Sequence, residues 1–248
     1  MANERLRNAI LDAGLTLEHV AEKAGVDAKT VERWTTNGSR VPYPRHRRSL
    51  AALLGQPESY LWPTAVPPER QATIAASEIM KVYPYRNAIP HEVWDRLFDQ
   101  AIDRIDILVQ AGQFLVERPD FVSTLAEKAA KGVNIRIAFG DPDCDAVALR
   151  SEEEHLGTGV LTARIKYGLA AHTPLVGTPG IEFRFHGTTL YNSIFRFDDE
   201  MIVNNHVYGA PGAHAPAMHL RKLGAGSLFA TYAASFTEVW SLSRPAKW

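Results

Sequence analysis

Apolar residues recur at helical spacing through the first sixty residues. Leu6, Ala9, Ile10 and Ala13 share one face of a helix over 5–13, and Gly14 stops it. Thr16 is an N-cap for a second helix through Ala24, and Asp27 for a third over Ala28–Thr36, which Asn37-Gly38 ends. Pro44 fits the first turn of a fourth helix running to Leu54. Gly55 stops that helix, and Pro57 opens a short last turn ending near Trp62-Pro63.

The pattern then changes. Three prolines within 63–68 predict a stiff linker. Beyond it, helical and strand-like runs alternate. His91–Ala101 carries Val93, Trp94, Leu97, Phe98 and Ala101 on one face; Ile105–Val109 is a short buried strand. A helix over 119–131, a strand over Asn134–Phe139 and a largely helical stretch over 151–170 follow. Three β-type runs come next, Ile181–His186, Leu190–Phe197 and Met201–Val207, the last two joined as a hairpin at Asp198-Asp199-Glu200. A helix over 227–242 closes the chain. The order predicts an all-α domain over 1–63, a linker over 64–77, and an α/β domain over 78–248 built on a mixed sheet flanked by helices.

Charge sharpens the picture locally. The chain of 248 residues has a formal charge of −1, which names no partner. Yet Lys29, Arg33, Arg40, Arg45, Arg47 and Arg48 stand against Glu32 alone within 29–48. The single cysteine, Cys144, excludes a disulfide framework and a cysteine-based zinc site. No residue pattern calls for a metal or cofactor. With no signal-like or membrane-spanning run, the chain reads as soluble and cytoplasmic.

Within 17–34, Ala21 sits where a second helix must cross closely, and Gly25 lies four residues on, in a turn that suits φ > 0. Val31 and Trp34 follow on the inner face of the next helix, and Val20, Ala24 and Val26 complete the apolar seam. This spacing, with its flanking helices, resembles the helix-turn-helix domains of the XRE (Cro/C1-type) regulators over about residues 3–62. The resemblance implies a recognition helix over Ala28–Thr36 that enters the major groove of double-stranded DNA. Lys29, Thr30 and Arg33 then face bases. Thr16, Arg40, Arg45, His46, Arg47 and Arg48 are placed for phosphates, which set affinity and register rather than sequence. A solvated basic face on a protein-interaction domain would explain the charge but not the Ala-Gly-Val-Trp spacing.

The stretch TLYNSIFRFDDEMIVNNHVYG resembles the phospholipase D-like superfamily, over about residues 78–242. There a His-x-Lys pair on one strand face precedes an aspartate, and a Gly-Ser follows on the next strand. Aligned on Asp198, the nucleophile position is Tyr191, the lysine position Ser193, and the Gly-Ser falls at Asn205-His206. Both phosphoryl-transfer residues are replaced, so no catalytic residue is expected. What remains is a polar strand face of Tyr191, Ser193, Asn204 and His206, with Arg184 and His186 on the strand before. It is a ligand pocket, a satisfied polar network or a dimer interface, and the loop Gly209–His214 is a candidate rim. The resemblance also implies a homodimer, which suits a palindromic operator. The expected function is a sequence-specific transcriptional regulator whose second domain dimerises it and senses a small or phosphate-bearing ligand. The alternatives are a DNA-targeted phosphodiesterase or nuclease, and an adaptor or antitoxin-type interaction protein.

Overall fold

The computed structural model describes residues 2–63, 65, 68–118, 120–223 and 228–247, and for 68–71 the backbone alone. Contacts divide the chain into two compact units, Met1–Glu78 with Lys222–Thr231, and Ile79–Arg221 with Tyr232–Trp248.

The first unit opens with α1 (Glu4–Asp12), α2 (Leu17–Ala24), α3 (Ala28–Thr36), α4 (Pro44–Leu54) and α5 (Glu58–Leu61). Local chemistry sets their ends. The Thr16 hydroxyl accepts from the His19 amide at 3.3 Å, and Asp27 accepts from the Thr30 amide at 2.8 Å. Gly25 closes α2 at φ +65°, a left-handed conformation that a side chain resists. The expected glycine stop after α3 is replaced by another device. Asn37 takes an extended conformation, and its side chain accepts from the amide and hydroxyl of Ser39. Leu6, Ile10, Val20, Ala21, Val31, Trp34, Leu50, Leu54, Leu61 and Trp62 form one buried cluster among these helices.

The predicted linker needs correction. Residues 64, 66 and 67 lie outside those described, but Pro68–Glu78 is a helix, α6. Pro68 occupies its first position, where a missing N–H costs nothing. Buried Glu78 ends it and accepts from the amides of Leu228 and Phe229, at 2.9 and 3.2 Å, at the start of the final helix, α12 (Leu228–Leu242). The expected start of that helix at 227 lies outside the described residues, as does Pro119.

In the second unit, β1 (Ile79–Tyr83) precedes α7 (His91–Gln100), β2 (Arg104–Leu108), α8 (Gln113–Val116), α9 (Phe121–Ala130) and β3 (Asn134–Gly140). The run expected to be helical over 151–170 is two helices, α10 (Asp145–Glu153) and α11 (Val160–His172). His155, Gly157 and Gly159 all take positive φ between them. Then come β4 (Ile181–His186), β5 (Asn192–Phe197), β6 (Glu200–Asn205), β7 (Ala217–Arg221) and, after part of α12, β8 (Arg244–Pro245).

The strands form one mixed sheet in the order β1-β7-β6-β5-β2-β3-β4-β8. β2, β3 and β4 run parallel, and β5 to β7 form an antiparallel meander. The expected hairpin is present, with Asp198 at φ +51° in its turn. The Asp198 carboxylate accepts from the amides of Ile102, Asp103 and Arg104 at 2.7–3.0 Å, which ties that turn to the start of β2.

Ile105, Ile107, Ile137, Phe139, Phe183 and Phe195 project from one face into the main core, with Trp94, Phe98, Leu125 and Ile165 from the covering helices. The opposite face is charged. Asp106 of β2 is fully buried; Arg136 donates to it at 2.7 Å, and Arg196 lies at 3.8 Å. The Arg136 guanidinium packs over Phe236 and Trp240 of α12 at 4.7 and 5.3 Å. No described helix is long and apolar enough to cross a membrane.

Candidate functional site

Two regions gather residues that sequence alone singles out. The first is the basic surface of the first unit. Val31 and Trp34 are buried on the inner face of α3, as the spacing requires. Lys29 and Arg33, four residues apart on the opposite face, are exposed, and neither forms an ion pair among the described residues, although Arg33 is near enough to Asp27 to favour its carboxylate. Thr30 is half-buried; its hydroxyl donates to the Asp27 carboxylate at 2.9 Å. That bond and the Thr30 amide hold the Asp27 carboxyl below its usual range. Thr30 therefore offers outward its methyl and a hydroxyl oxygen, with the proton engaged.

The basic cluster separates into two sets. Arg40 and Arg48 are exposed, and neither forms an ion pair among the described residues. Arg45 is exposed and its Nε–H donates to His46 Nε2 at 3.1 Å. His46 in turn donates from Nδ1 to the Ala24 carbonyl at 3.0 Å and lies 5.8 Å from Trp34, ring to ring. It is a tie between α4 and the end of α2. Arg47 is likewise internal. Its Nε donates to Glu58 at 3.0 Å and a terminal nitrogen donates to the Pro42 carbonyl at 2.8 Å. The two side chains are only 13% and 9% exposed. In this arrangement His46 and Arg47 position the loop and α5, and do not stand free for phosphate.

The second region is a cavity of about 310 Å³ in the second unit. Ser193 and His206 line it, with Arg86, Gln110, Phe114, Glu117, Glu154 and Arg164. Pro211, Gly212 and Ala213 of the expected rim loop line it too. Ser193 is on β5, and the chain continues pairing beyond β6, where the His206 amide donates to the Tyr191 carbonyl. That brings Ser193 Oγ to 3.0 Å from His206 Nε2.

The proton positions follow from the partners. His206 Nδ1 lies 2.8 Å from the Leu190 carbonyl, which can only accept, so Nδ1 carries the hydrogen. Nε2 is then bare, and the Ser193 hydroxyl donates to it. Burial, aided by Arg150, Arg86 and His186 and opposed by the Leu190 bond, pushes His206 down to about 4. The imidazole is neutral at physiological pH.

The rest of the predicted polar face does not assemble. For Arg184 and His186, strand register explains why. Ser193 pairs with Asn204 and shares the face of Phe195, Ile107 and Phe183. Arg184 pairs with Ala138 and His186 with Gly140, one position out of phase, so both belong to the opposite face. There the Arg184 guanidinium donates to Glu182 at 2.7 Å and to the Trp240 carbonyl at 3.0 Å. His186 is bonded to the Val109 carbonyl at 3.1 Å, and burial pushes its imidazole below the usual range. Asn204 donates to the carbonyls of Ala215 and Pro216, both at 3.1 Å. Tyr191 is 77% exposed, because a bend ahead of β5 breaks the strand alternation.

The cavity's charged wall was not legible from motif spacing. Arg86 lies in a single helical turn, Arg86–Ala88, before α7, and its guanidinium stacks over Phe114 of α8 at 3.8 Å. Burial pushes Arg86 down to about 10, with Glu154 and Glu117 opposing. Arg86, Asn87, Phe114 and Glu117 also border an adjoining groove of about 640 Å³ lined by Ile89, His91, Trp94 and Arg118. Gln110 lies close against Gly140 at the end of β3, where a Cβ would meet its Oε1 at 2.3 Å and displace the amide. No cluster of metal-ligating side chains occurs among the described residues.

No protein-family model matches the chain, and no curated protein sequence matches it. Solved structures share part of its chain path, and three of them are as follows. TrmBL2, an archaeal chromatin protein described as showing a novel mode of DNA binding, is 12% identical with a TM-score of 0.40. That match covers 72% of this chain but only 59% of TrmBL2. Nuc from Salmonella typhimurium, a phospholipase D family member, is 12% identical at 0.39, over 68% of this chain and 97% of its own. NucT from Helicobacter pylori is 11% identical at 0.39, over 67% and 96%. At these scores nothing about their activities transfers to this chain.

Proposed function

We propose that the chain is a sequence-specific regulator that binds double-stranded DNA through α2, the Gly25 turn and α3, a helix-turn-helix of the XRE type. The observation that carries this reading is the outer face of α3. Lys29 and Arg33 are exposed there and neither is held in an ion pair among the described residues, on a helix whose other face is anchored by Val31 and Trp34. Side chains that reach from a rigid helix can read base edges. Arg40, Arg45 and Arg48 serve the phosphates, and the exposed N-terminus of α2 at Thr16 adds backbone amides. His46 and Arg47 hold the frame. The second unit provides homodimerisation and, at the Ser193–His206 cavity, a small-ligand site. A ligand that favours one state of the protein changes operator affinity by linkage.

Fluorescence anisotropy with the protein's own promoter region and with random duplex, at near-physiological salt, tests the reading. Equal, weak affinity for both would sink it. The rival phosphodiesterase reading lacks the histidine and lysine that its chemistry needs, and Tyr191 is exposed and does not line the cavity that would hold the substrate.

A further inference from the structure

We propose that Ser193 is a nucleophile activated by His206, and that the cavity around them cleaves small carboxylic esters. The inference is independent of DNA binding, because it rests only on the second unit. Three features of a serine nucleophile meet there. The hydroxyl donates to a bare imidazole nitrogen at 3.0 Å, the relation that general-base activation requires. The Leu190 carbonyl, accepting from Nδ1 at 2.8 Å, fixes the tautomer and the ring orientation. Both reacting side chains line a cavity, so a carbonyl carbon can reach Oγ.

The cavity wall supplies the remaining parts. Arg86 and Arg164 line the same space and are available to a developing oxyanion. The charged groups around His206 are Arg150 from α10, Arg86 from the turn before α7 and His186 from β4, with Glu154, Glu117 and Arg164 on the cavity wall. The inner volume suits a short acyl group. The adjoining groove, with Trp94, Ile89 and Phe114, suits an aromatic leaving group.

The chemistry balances without a cofactor. Ser193 Oγ attacks the carbonyl carbon while its proton passes to His206 Nε2. The tetrahedral intermediate collapses, the bond to the alkoxy oxygen breaks, and the alcohol leaves with the proton from Nε2. Water then attacks the acyl carbon, giving a proton to Nε2. The acid departs and Oγ recovers its proton. The buried imidazole is a weak base, so turnover is slow; an ester with a good leaving group acylates Ser193 faster than water removes the acyl group, so an acyl-serine accumulates.

The test uses the full chain and p-nitrophenyl acetate, with nitrophenolate release and peptide mass mapping as readouts. An acetyl group on Ser193 is expected. Loss of about 10²–10⁴-fold in the Ser193-dependent rate is expected for His206→Gln, and its complete loss for Ser193→Ala. Exposed side chains also react with this ester, and Tyr191 shares a tryptic peptide with Ser193, so fragmentation must place the adduct. Tyr191→Phe should keep the rate. Circular dichroism of each variant separates lost chemistry from lost fold, and Ser193→Thr and His206→Asn serve in place of any variant that fails to fold. Release equal in wild type and folded Ser193→Ala, an adduct placed on Tyr191, or acetylation of Ser193 undiminished in folded His206→Gln would each overturn the proposal.

Discussion

Arg47→Ala separates structure from DNA contact within the basic cluster. The substitution removes the Arg47 guanidinium and leaves Glu58, itself only 9% exposed, without its 3.0 Å partner. Breaking a buried pair from one side costs about 3–5 kcal/mol, because a charge is left without compensation. The lost donation to the Pro42 carbonyl adds about 1 kcal/mol. A helical unit of this size has only about 5 kcal/mol or so to lose, so the variant should sit near its unfolding midpoint at room temperature. Urea unfolding followed by tryptophan fluorescence reads this, since Trp34 and Trp62 are both buried in the first unit. A cycle with Glu58→Gln isolates the pair, and the double variant should lose less than the two single variants combined. Should Arg47→Ala keep the wild-type midpoint and instead lower the salt slope of DNA binding by about one charge, Arg47 is a phosphate contact and the reasoning fails.

The other predictions test separate links. Arg33→Ala should weaken operator binding by about 1–3 kcal/mol and leave random DNA nearly unaffected, whereas Arg48→Ala should weaken both and flatten the salt slope by about one; anisotropy across salt concentrations distinguishes them. Gly25→Ala should cost about 1 kcal/mol or more in urea unfolding, from its φ of +65° alone, because open space surrounds the site; an unchanged midpoint would show that the turn relaxes. Stability of the second unit should fall as pH drops from about 6.5 towards 4. His206 has a folded value of about 4 below an unfolded value of about 6.5, so the unfolded state binds the extra proton in that window and stability rises with pH there. The effect of His206 is about 3 kcal/mol in all, and buried His172 and His186 add the same sign. His206→Gln should flatten the midpoint-against-pH curve over this window.

The first unit is legible in sequence because its signals are local. A cap, a glycine and an apolar stripe act within one or two turns, and α3 and α4 have the bounds that spacing predicts. Side-chain pairing was not legible. Arg45, His46, Arg47 and Arg48 look alike as a run of charge. Which two turn inward depends on Glu58, Ala24 and Pro42, contributed by other segments of the unit. In the second unit the hairpin was visible, but β1 and β7 were not. Met80 and Val82 of β1 are exposed on an edge strand, so its sequence carries no buried alternation.

The polar face shows the same limit at the level of the sheet. Residues two apart on one strand share a face, and that rule put Ser193, Asn204 and His206 together but added Arg184 and His186 from the preceding strand. The rule says nothing about phase between strands, which is fixed by hydrogen-bond register. Arg184 and His186 are one step out of phase with Ser193, so they joined the charged face with Arg136 and Asp106. Ser193 does meet His206, a residue beyond the end of β6, because the hairpin keeps pairing past its last strand residue. Arg86 completes the wall from a turn more than a hundred residues earlier in the chain, held there by its amide's 2.9 Å bond to the Ala215 carbonyl. The site's strand residues were therefore readable as types, while its chemistry depends on a register and a crossover that no local pattern encodes. The Ser193–His206 bond is the consequence of that geometry that an ester can probe directly.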